Sequence, residues 1–436
     1  MEDLKKRIQT ISSDVLNGVN YSRNEYARSI LNYPAMMVPA VQEPIIEALS
    51  NFCSEEASLL DPFMGASNTL VTGMRFGLNL YGQDINPLSI LLSQVKTTFY
   101  TPAELSDAET RINRFIESDL SNNIDIEFIN INKWFTKEVQ IELSKISRAI
   151  KKEENLRLRK FFWIALAETI RLTSNDRTST FKMHIRTLDE IRSRQVSAIR
   201  TFNSTTKKNI KNICDHITIL INNGQIQDGK YLKDINIVWG DTNKEIKTDR
   251  RFDLLVTSPP YGDNHTTVTY GQFSYLPLQW IPLSDIDCNI SFDYLKTAQT
   301  IDRESLGGKN SEKINDLEDR IFGKSKTLKT FINQFNHEER IKANKVTRFI
   351  SDLDSCIDLI LQKMKKNSFL VWTIGNRSVN KQIVMNDLIL RELFASKGIE
   401  LFTDLERDIL SKRMPGRNNF SDTMSKEKIL IFKKLY

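Results

Sequence analysis

Asp253-Leu254-Leu255-Val256-Thr257-Ser258-Pro259-Pro260-Tyr261-Gly262 is an apolar run that stops abruptly at two prolines and an aromatic residue. A short apolar run with such a stop reads as a buried strand. Two consecutive prolines fix the backbone and remove two N–H donors, so neighbouring carbonyls can project into a pocket as free acceptors. Ser258 adds a hydroxyl and Tyr261 a stacking face. Acceptors beside an aromatic platform are what is needed to hold a planar base, bearing an exocyclic amino group, that has been taken out of its stack. The plain alternative is a strand that ends in a polyproline turn.

Working outward, similar short apolar runs at 58–61, 79–84, 235–239, 368–374, 400–403 and 429–432 make seven candidate strands with 253–257. Helical patterns lie between several of them, at 44–50, 69–76 and 349–364. This alternation predicts an α/β fold, a mostly parallel sheet covered on both faces. Two segments, 101–230 and 262–345, separate consecutive strands by far more than one crossover helix and read as insertions. The first carries amphipathic helical stretches at 134–150 and 156–172.

Asp61-Pro62-Phe63-Met64-Gly65-Ala66-Ser67-Asn68-Thr69 follows an apolar run and opens a helical stretch, which predicts a strand, a tight turn and a helix N-terminus. Such a turn presents backbone N–H groups to a carboxylate or phosphate, with a glycine where the backbone must approach closely. It is neither GxGxxG nor GxxxxGK[ST], so a dinucleotide or P-loop reading is poor. About 20 residues on, Tyr81-Gly82-Gln83-Asp84 ends a strand with a carboxylate, where α/β folds bind a ribose diol. Asp84, followed by Asn86 and Pro87, reads equally as part of a helix cap.

Thr257-Ser258-Pro259-Pro260-Tyr261 resembles the catalytic motif of the amino-group DNA methyltransferases that use S-adenosylmethionine (AdoMet), in the form typical of the N4-cytosine enzymes. Asp61-Pro62-Phe63-Met64-Gly65 resembles their AdoMet loop. Tyr33-Pro34-Ala35 is similar to the segment that closes over the methionine part, and Gly240-Asp241 to the position whose acid meets the adenine. The resemblance covers about 33–100, 235–275 and 346–436. It implies a Rossmann-like sheet of seven strands, the last antiparallel, with large, mainly helical insertions.

It implies cofactor contacts at Tyr33, Pro34, Asp61, Phe63, Gly65, Ser67, Asn68, Asp84 and Asp241, catalytic roles for Ser258, Pro259, Pro260 and Tyr261, and no metal. The implied reaction is direct attack of a base amino nitrogen on the AdoMet methyl, in double-stranded DNA, as in restriction–modification systems. N6-adenine methylation and RNA or protein methylation are the alternatives. Where the family usually has a second glycine this chain has Ser67, so either the backbone approach differs or φ there is negative.

The implied organisation is 1–100 as the N-terminal part of the catalytic domain, 101–230 as a mainly helical candidate DNA target-recognition region, and 231–261 as the catalytic strand and motif. Residues 262–345 form a second insertion near the active site, and 346–436 the C-terminal part of the domain.

The 436 residues, 40% hydrophobic and 27% charged, exclude a collagen-like or wholly disordered chain. A net charge of +6 is modest at this length, but 182–211 holds eight basic residues against two acidic ones. Lys182, Arg186, Arg192, Arg194, Lys207 and Lys208 are therefore candidate phosphate contacts, with Arg413 and Arg417 in the turn-rich 412–419 stretch; a solvated face is the alternative. His265 either touches the substrate or is a loop histidine without a role, and 372–377 ends the fifth strand on the edge that carries active sites.

Cys53, Cys214, Cys288 and Cys356 are scattered, which supports neither a disulfide framework nor a zinc site, and all four read as buried small apolar residues. With no apolar leader and no membrane span, a reducing, cytoplasmic setting is expected. A monomer or weak dimer is expected, with a restriction endonuclease as a functional counterpart that forms no stable complex with it.

Overall fold

The computed structural model describes residues 1–19, 24–309, 312–409 and 426–436. Seven strands form the central sheet: β1 (Ser58–Asp61), β2 (Asn79–Asp84), β3 (Ile235–Trp239), β4 (Phe252–Thr257), β5 (Met364–Gly375), β6 (Glu400–Asp408) and β7 (Lys426–Lys433). Their order is β3-β2-β1-β4-β5-β7-β6. β3 to β5 are mutually parallel, and β7 runs antiparallel to both its neighbours. The α/β sheet and its antiparallel last strand are as expected from the sequence.

Side-chain alternation divides the core into two layers. Leu59, Leu254, Val256 and Val371 enter one hydrophobic cluster, while Leu60, Leu255, Leu370 and Trp372 enter the other on the opposite face. Both faces of the central strands β1 and β4 and of the second half of β5 are buried, which is why these read as unbroken apolar runs rather than as alternating ones.

Among the helices that position the site or cover the sheet are α1 (Asn68–Arg75), α2 (Pro87–Lys96), α3 (Leu156–Thr173), α4 (Ala198–Asn222), α5 (Tyr270–Trp280), α6 (His337–Lys363) and α7 (Asn386–Ser396). α6 starts twelve residues earlier than the sequence pattern predicts, behind a reciprocal cap between Asn336 and Glu339. Its first turns are polar and escape a search for apolar periodicity, so the expected boundary at 345 falls inside one continuous helix.

The helical segment between α2 and β3 is not an appendage. In α3, Phe161, Phe162 and Trp163 are buried in the same cluster as Leu88 and Leu91 of α2 and the sheet residues Leu59 and Leu254. It is also joined to the second long segment, because Arg159 makes a forked pair with Asp285 at 2.6 and 2.9 Å and Trp163 Nε1 donates to the same carboxylate at 2.7 Å. No helix among the described residues is long and apolar enough to cross a membrane.

Cys356 is buried, Cys53 and Cys214 are half-buried, and Cys288 is exposed. The expectation that all four are buried holds at Cys356, is met only in part at Cys53 and Cys214, and is corrected at Cys288, which sits in a turn beside Asp287, whose carboxylate accepts from Asn289 N at 2.9 Å.

Candidate active site

The strand order reverses between β1 and β4, and in open α/β sheets a crevice forms there at the C-terminal strand ends. The loop after β1 turns sharply at Gly65, φ +47°, and at Ser67, φ +59°. A glycine holds such a φ without penalty, whereas a serine there costs about 1 kcal/mol. The negative φ offered as an alternative for Ser67 is overturned. Its side chain points away from the cleft to hydrogen-bond Ser93 on α2, so this residue shapes the loop and does not line the pocket.

Asp84, at the end of β2, braces the loop. Its Oδ2 accepts from Gly65 N and its Oδ1 from Asn86 N, both at 2.8 Å, and burial holds its carboxyl above the ordinary carboxylate range. Asp84 therefore lines the cleft and fixes the turn into α2, whose N-cap is Asn86 and not Asp84. Asn86 caps α2 and also donates to Tyr33 Oη at 2.9 Å and Ser274 Oγ at 2.8 Å. It thereby ties the N-terminal segment and α5 to the loop, and Tyr33 stacks on Tyr270 with ring centroids 5.9 Å apart. The buried Lys96 ammonium donates to Ala66 O at 2.8 Å and Asn68 Oδ1 at 2.6 Å, supporting the loop from beneath.

A single cleft of about 870 Å³, counting the open space at its mouth, runs between these groups. Of the sequence-predicted residues, Tyr33, Pro34, Phe63, Gly65, Asn68, Asp84, Asp241, Ser258 and Pro260 line it. Asp61, Pro259 and Tyr261 do not. Asp61 is fully buried behind the wall, where it accepts from Thr257 Oγ1 at 2.7 Å and Phe63 N at 3.2 Å and so joins β4 to the β1 loop. Burial pushes its carboxyl up to about 6.

Tyr261 departs from expectation: its ring packs on the hydrophobic cluster of α6 and β5, and its hydroxyl is held between Ser258 and Glu427. It offers no stacking face to this cleft. The sequence reading also passed over Asn264, buried and lining the cleft, whose Oδ1 has no hydrogen-bond partner among the described residues. No local pattern marks it, because the 262–269 turn reaches the cleft only by folding back on Asp263 O, which accepts from Thr266 and Thr267 N.

That turn is clamped by Arg377, just past β5, which pairs with the buried Asp263 at 3.4 Å and donates to Thr266 Oγ1 at 3.0 Å. A Cβ on Gly262 would lie 1.8 Å from Arg377 Nη1, so only glycine lets the guanidinium close. His265 is half-buried and does not line the cleft. Among the described residues no group of three or more His, Cys, Asp or Glu is placed to hold a metal ion.

With this geometry in place the chain can be compared with known proteins. No family model matches it. A type II methyltransferase of Kocuria varians, M.MvaI, is 34% identical over 451 residues, covering 99% of this chain and 96% of that protein. The chain belongs to the type II methyltransferases. A second such methyltransferase, M.MjaII of Methanocaldococcus jannaschii, is 28% identical over 132 residues, which are 28% of this chain and 24% of that one. Among solved structures, the rRNA methyltransferase AviRa of Streptomyces viridochromogenes aligns over 95% of this chain and 93% of that one, at 9% identity and a TM-score of 0.31, too loosely to bear on function.

The basic run of this type II methyltransferase is divided by the fold. Lys182, Arg192, Lys207 and Lys208 are exposed. Arg194 is a correction to the sequence reading: its guanidinium donates to Ser174 O at 2.8 Å and Leu172 O at 2.9 Å, closing the C-terminal end of α3. Arg186 is half-buried close to Asp176, whose carboxyl it helps to hold down against a larger upward push from burial. The segment around Lys182 adjoins the site, since Met183 N donates to Gln272 of α5 at 3.0 Å. Arg413, Arg417 and the 412–419 stretch lie outside the described residues.

Proposed function

We propose that this type II methyltransferase is a site-specific DNA methyltransferase that transfers the methyl group of AdoMet to the exocyclic N4 amino group of a cytosine turned out of double-stranded DNA. The observation that carries the proposal is the continuity of the cleft: the acid-bearing loops of β2 and β3 and the Ser258-Pro259-Pro260 turn open into one space. Its volume is in the range of small-molecule sites. Among the described residues that line it, the charged ones are Asp84 and Asp241, both acidic, which suits a cofactor carrying a sulfonium and an ammonium cation.

Asp84 would hold the ribose diol and Asp241 would meet the adenine, with Tyr33 and Phe63 as apolar walls. When bound, AdoMet supplies an electrophilic methyl group on a sulfonium sulfur. The protein's part is placement. Ser258 Oγ, which lines the cleft, would accept from the amino group, which keeps the nitrogen lone pair out of the ring and directs it toward the cofactor end. No covalent nucleophile is needed, and none of the four cysteines lines the cleft. Ser258, in place of the acid or asparagine usual in adenine enzymes, favours cytosine.

The test is to incubate the protein with unmethylated DNA and AdoMet, digest to nucleosides and identify the product by mass spectrometry, with sequencing for its context. N4-methylcytosine is the expected product. N6-methyladenine would reassign the base, and AdoMet binding without any methylated base would sink the enzyme reading.

Changing Lys182, Arg192, Lys207 and Lys208 together to alanine should weaken DNA binding and flatten its salt dependence by about 0.9 in slope for each phosphate no longer neutralised. A titration over a series of salt concentrations measures this, and an unchanged slope would remove these residues from the interface. Arg194→Ala should instead lower the melting temperature, because it uncaps α3.

A further inference from the structure

Ser258 does not stand alone at the cleft. Its hydroxyl donates to Tyr261 Oη at 3.2 Å, and Tyr261 Oη donates to Glu427 Oε1 at 2.9 Å. The other Glu427 oxygen lies 2.9 Å from Arg407 Nε, an ion pair without hydrogen-bond alignment. The side chains of Arg407 and Glu427 are only 9% and 16% exposed. They stand directly opposite each other on β6 and β7, and Gly375 of β5 is the partner of Glu427 on its other side. Tyr261 is held at its backbone as well, since Asn386 Nδ2 donates to Tyr261 O at 3.0 Å and to Gly375 O at 2.9 Å.

The chemistry at the far end of this chain sets its direction. A carboxylate accepts and has no hydrogen to give. Tyr261 must therefore donate to Glu427, its own oxygen is left to accept, and Ser258 must donate to it. Both lone pairs of Ser258 Oγ then remain for whatever enters the cleft. A serine hydroxyl lacking this partner can rotate its hydrogen toward an incoming amino group, donor against donor, which opposes binding in the reactive pose.

We propose that Glu427, held by Arg407, is a positioning residue that acts through Tyr261 to make Ser258 an obligate hydrogen-bond acceptor for the substrate amino group. The inference rests on the proposed reading of the cleft as an amino-methyl-transfer site, and it holds equally for a cytosine or an adenine amino group. An ionised acceptor strengthens the Tyr261–Glu427 link, because hydrogen bonds to charged acceptors are roughly twice as strong as neutral ones.

Glu427→Gln tests the direction with almost no change of shape, since the amide can donate to Tyr261 and reverse the chain. The expected result is a fall in kcat of about 10- to 100-fold, below the loss from deleting an oriented group outright. The KM for DNA and the AdoMet Kd stay near wild type, while the melting temperature falls because the nearly buried Arg407 keeps its charge without a carboxylate. Tyr261→Phe removes the acceptor for the Ser258 hydrogen while leaving the Glu427–Arg407 pair intact, so it should lower kcat similarly. The double variant should lose no more than either single one, because both break the same chain.

Glu427→Asp keeps the acceptor-only end and should retain more activity than Glu427→Gln. A folded Glu427→Gln protein with wild-type kcat would overturn the proposal, and so would losses that multiply in the double variant. If Glu427→Gln fails to unfold cooperatively, Tyr261→Phe and its double variant with Glu427→Asp carry the same comparison. A wild-type protein that methylates no amino group would overturn the function itself, whereas an active wild type with an undiminished Glu427→Gln variant overturns only the role of Glu427.

Discussion

Ser258→Ala should lower kcat by about 10²- to 10³-fold, the loss typical of removing one preorganised hydrogen-bonding group from a reacting centre, and leave the AdoMet Kd within about twofold. The split is expected because the change removes an acceptor and nothing that shapes the cofactor end. The backbone at 258 is held by β4, where Val256 and Thr257 pair with Val371 and Trp372 of β5, and by the two prolines that follow. Thr257 keeps its bond to Asp61, so the link from β4 to the loop after β1 survives. The missing hydrogen bond to Tyr261 costs about 1 kcal/mol of stability, too little to unfold a chain of this size. Single-turnover methyl transfer and calorimetric AdoMet binding, measured on the same preparation, check the result. Equal loss in both would show misfolding and remove Ser258 from the chemistry.

Asp84→Ala should do the reverse, raising the AdoMet Kd by about 100-fold while kcat at saturating AdoMet stays close to wild type. Two backbone N–H groups, of Gly65 and Asn86, share this carboxylate. Leaving them without an acceptor costs about 1–3 kcal/mol each, and a hundredfold in affinity is about 2.7 kcal/mol. Gly65, at φ +47°, is then free to leave the one conformation that faces its N–H to β2. The ribose would lose its acceptor in the same step. Asp84→Asn should fall between, since the amide accepts at one oxygen where the carboxylate accepts at two. Equilibrium titration with AdoMet and a thermal melt decide this. An unchanged Kd in a folded Asp84→Ala protein would leave Asp84 as a loop brace only.

The central strands β1, β4 and β5 were legible because they are buried on both faces, so that no solvent-facing residue interrupts their apolar centres. The ends of the last two strands were not. β6 and β7 extend to Asp408 and back to Lys426 through charged positions, with Glu406 facing Lys426 and Lys428 across the pair. Such cross-strand pairs stabilise an edge that reads as loop when each strand is taken alone. Arg194 failed for a related reason: a run of positive charge marks a surface only while its side chains are free, and here α3 needed a donor for its last carbonyls. Asn264 had no signal, and the bonds that Asn86 makes to Tyr33 and Ser274 and Arg377 to Asp263 and Thr266 had none either, since those partners lie far away in the chain.

The sequence by itself determined the central strands of the sheet, the position of the glycine-bearing loop after β1, and the strand end that stops at two prolines, because backbone chemistry and burial are written in consecutive residues. It also determined that Asp84 closes β2 about 20 residues after that loop. Only the tertiary structure decided what Tyr261 does. The antiparallel course of β7 carries Glu427 to the C-terminal end of β5, beside a tyrosine 166 residues earlier in the chain, and so turns an expected stacking ring into a hydrogen-bond link. The reason is physical: a side chain's type limits which bonds it can make, but its partner is whichever group the packing brings within 3 Å, and for Tyr261 that partner lies on a strand hydrogen-bonded in the reverse direction.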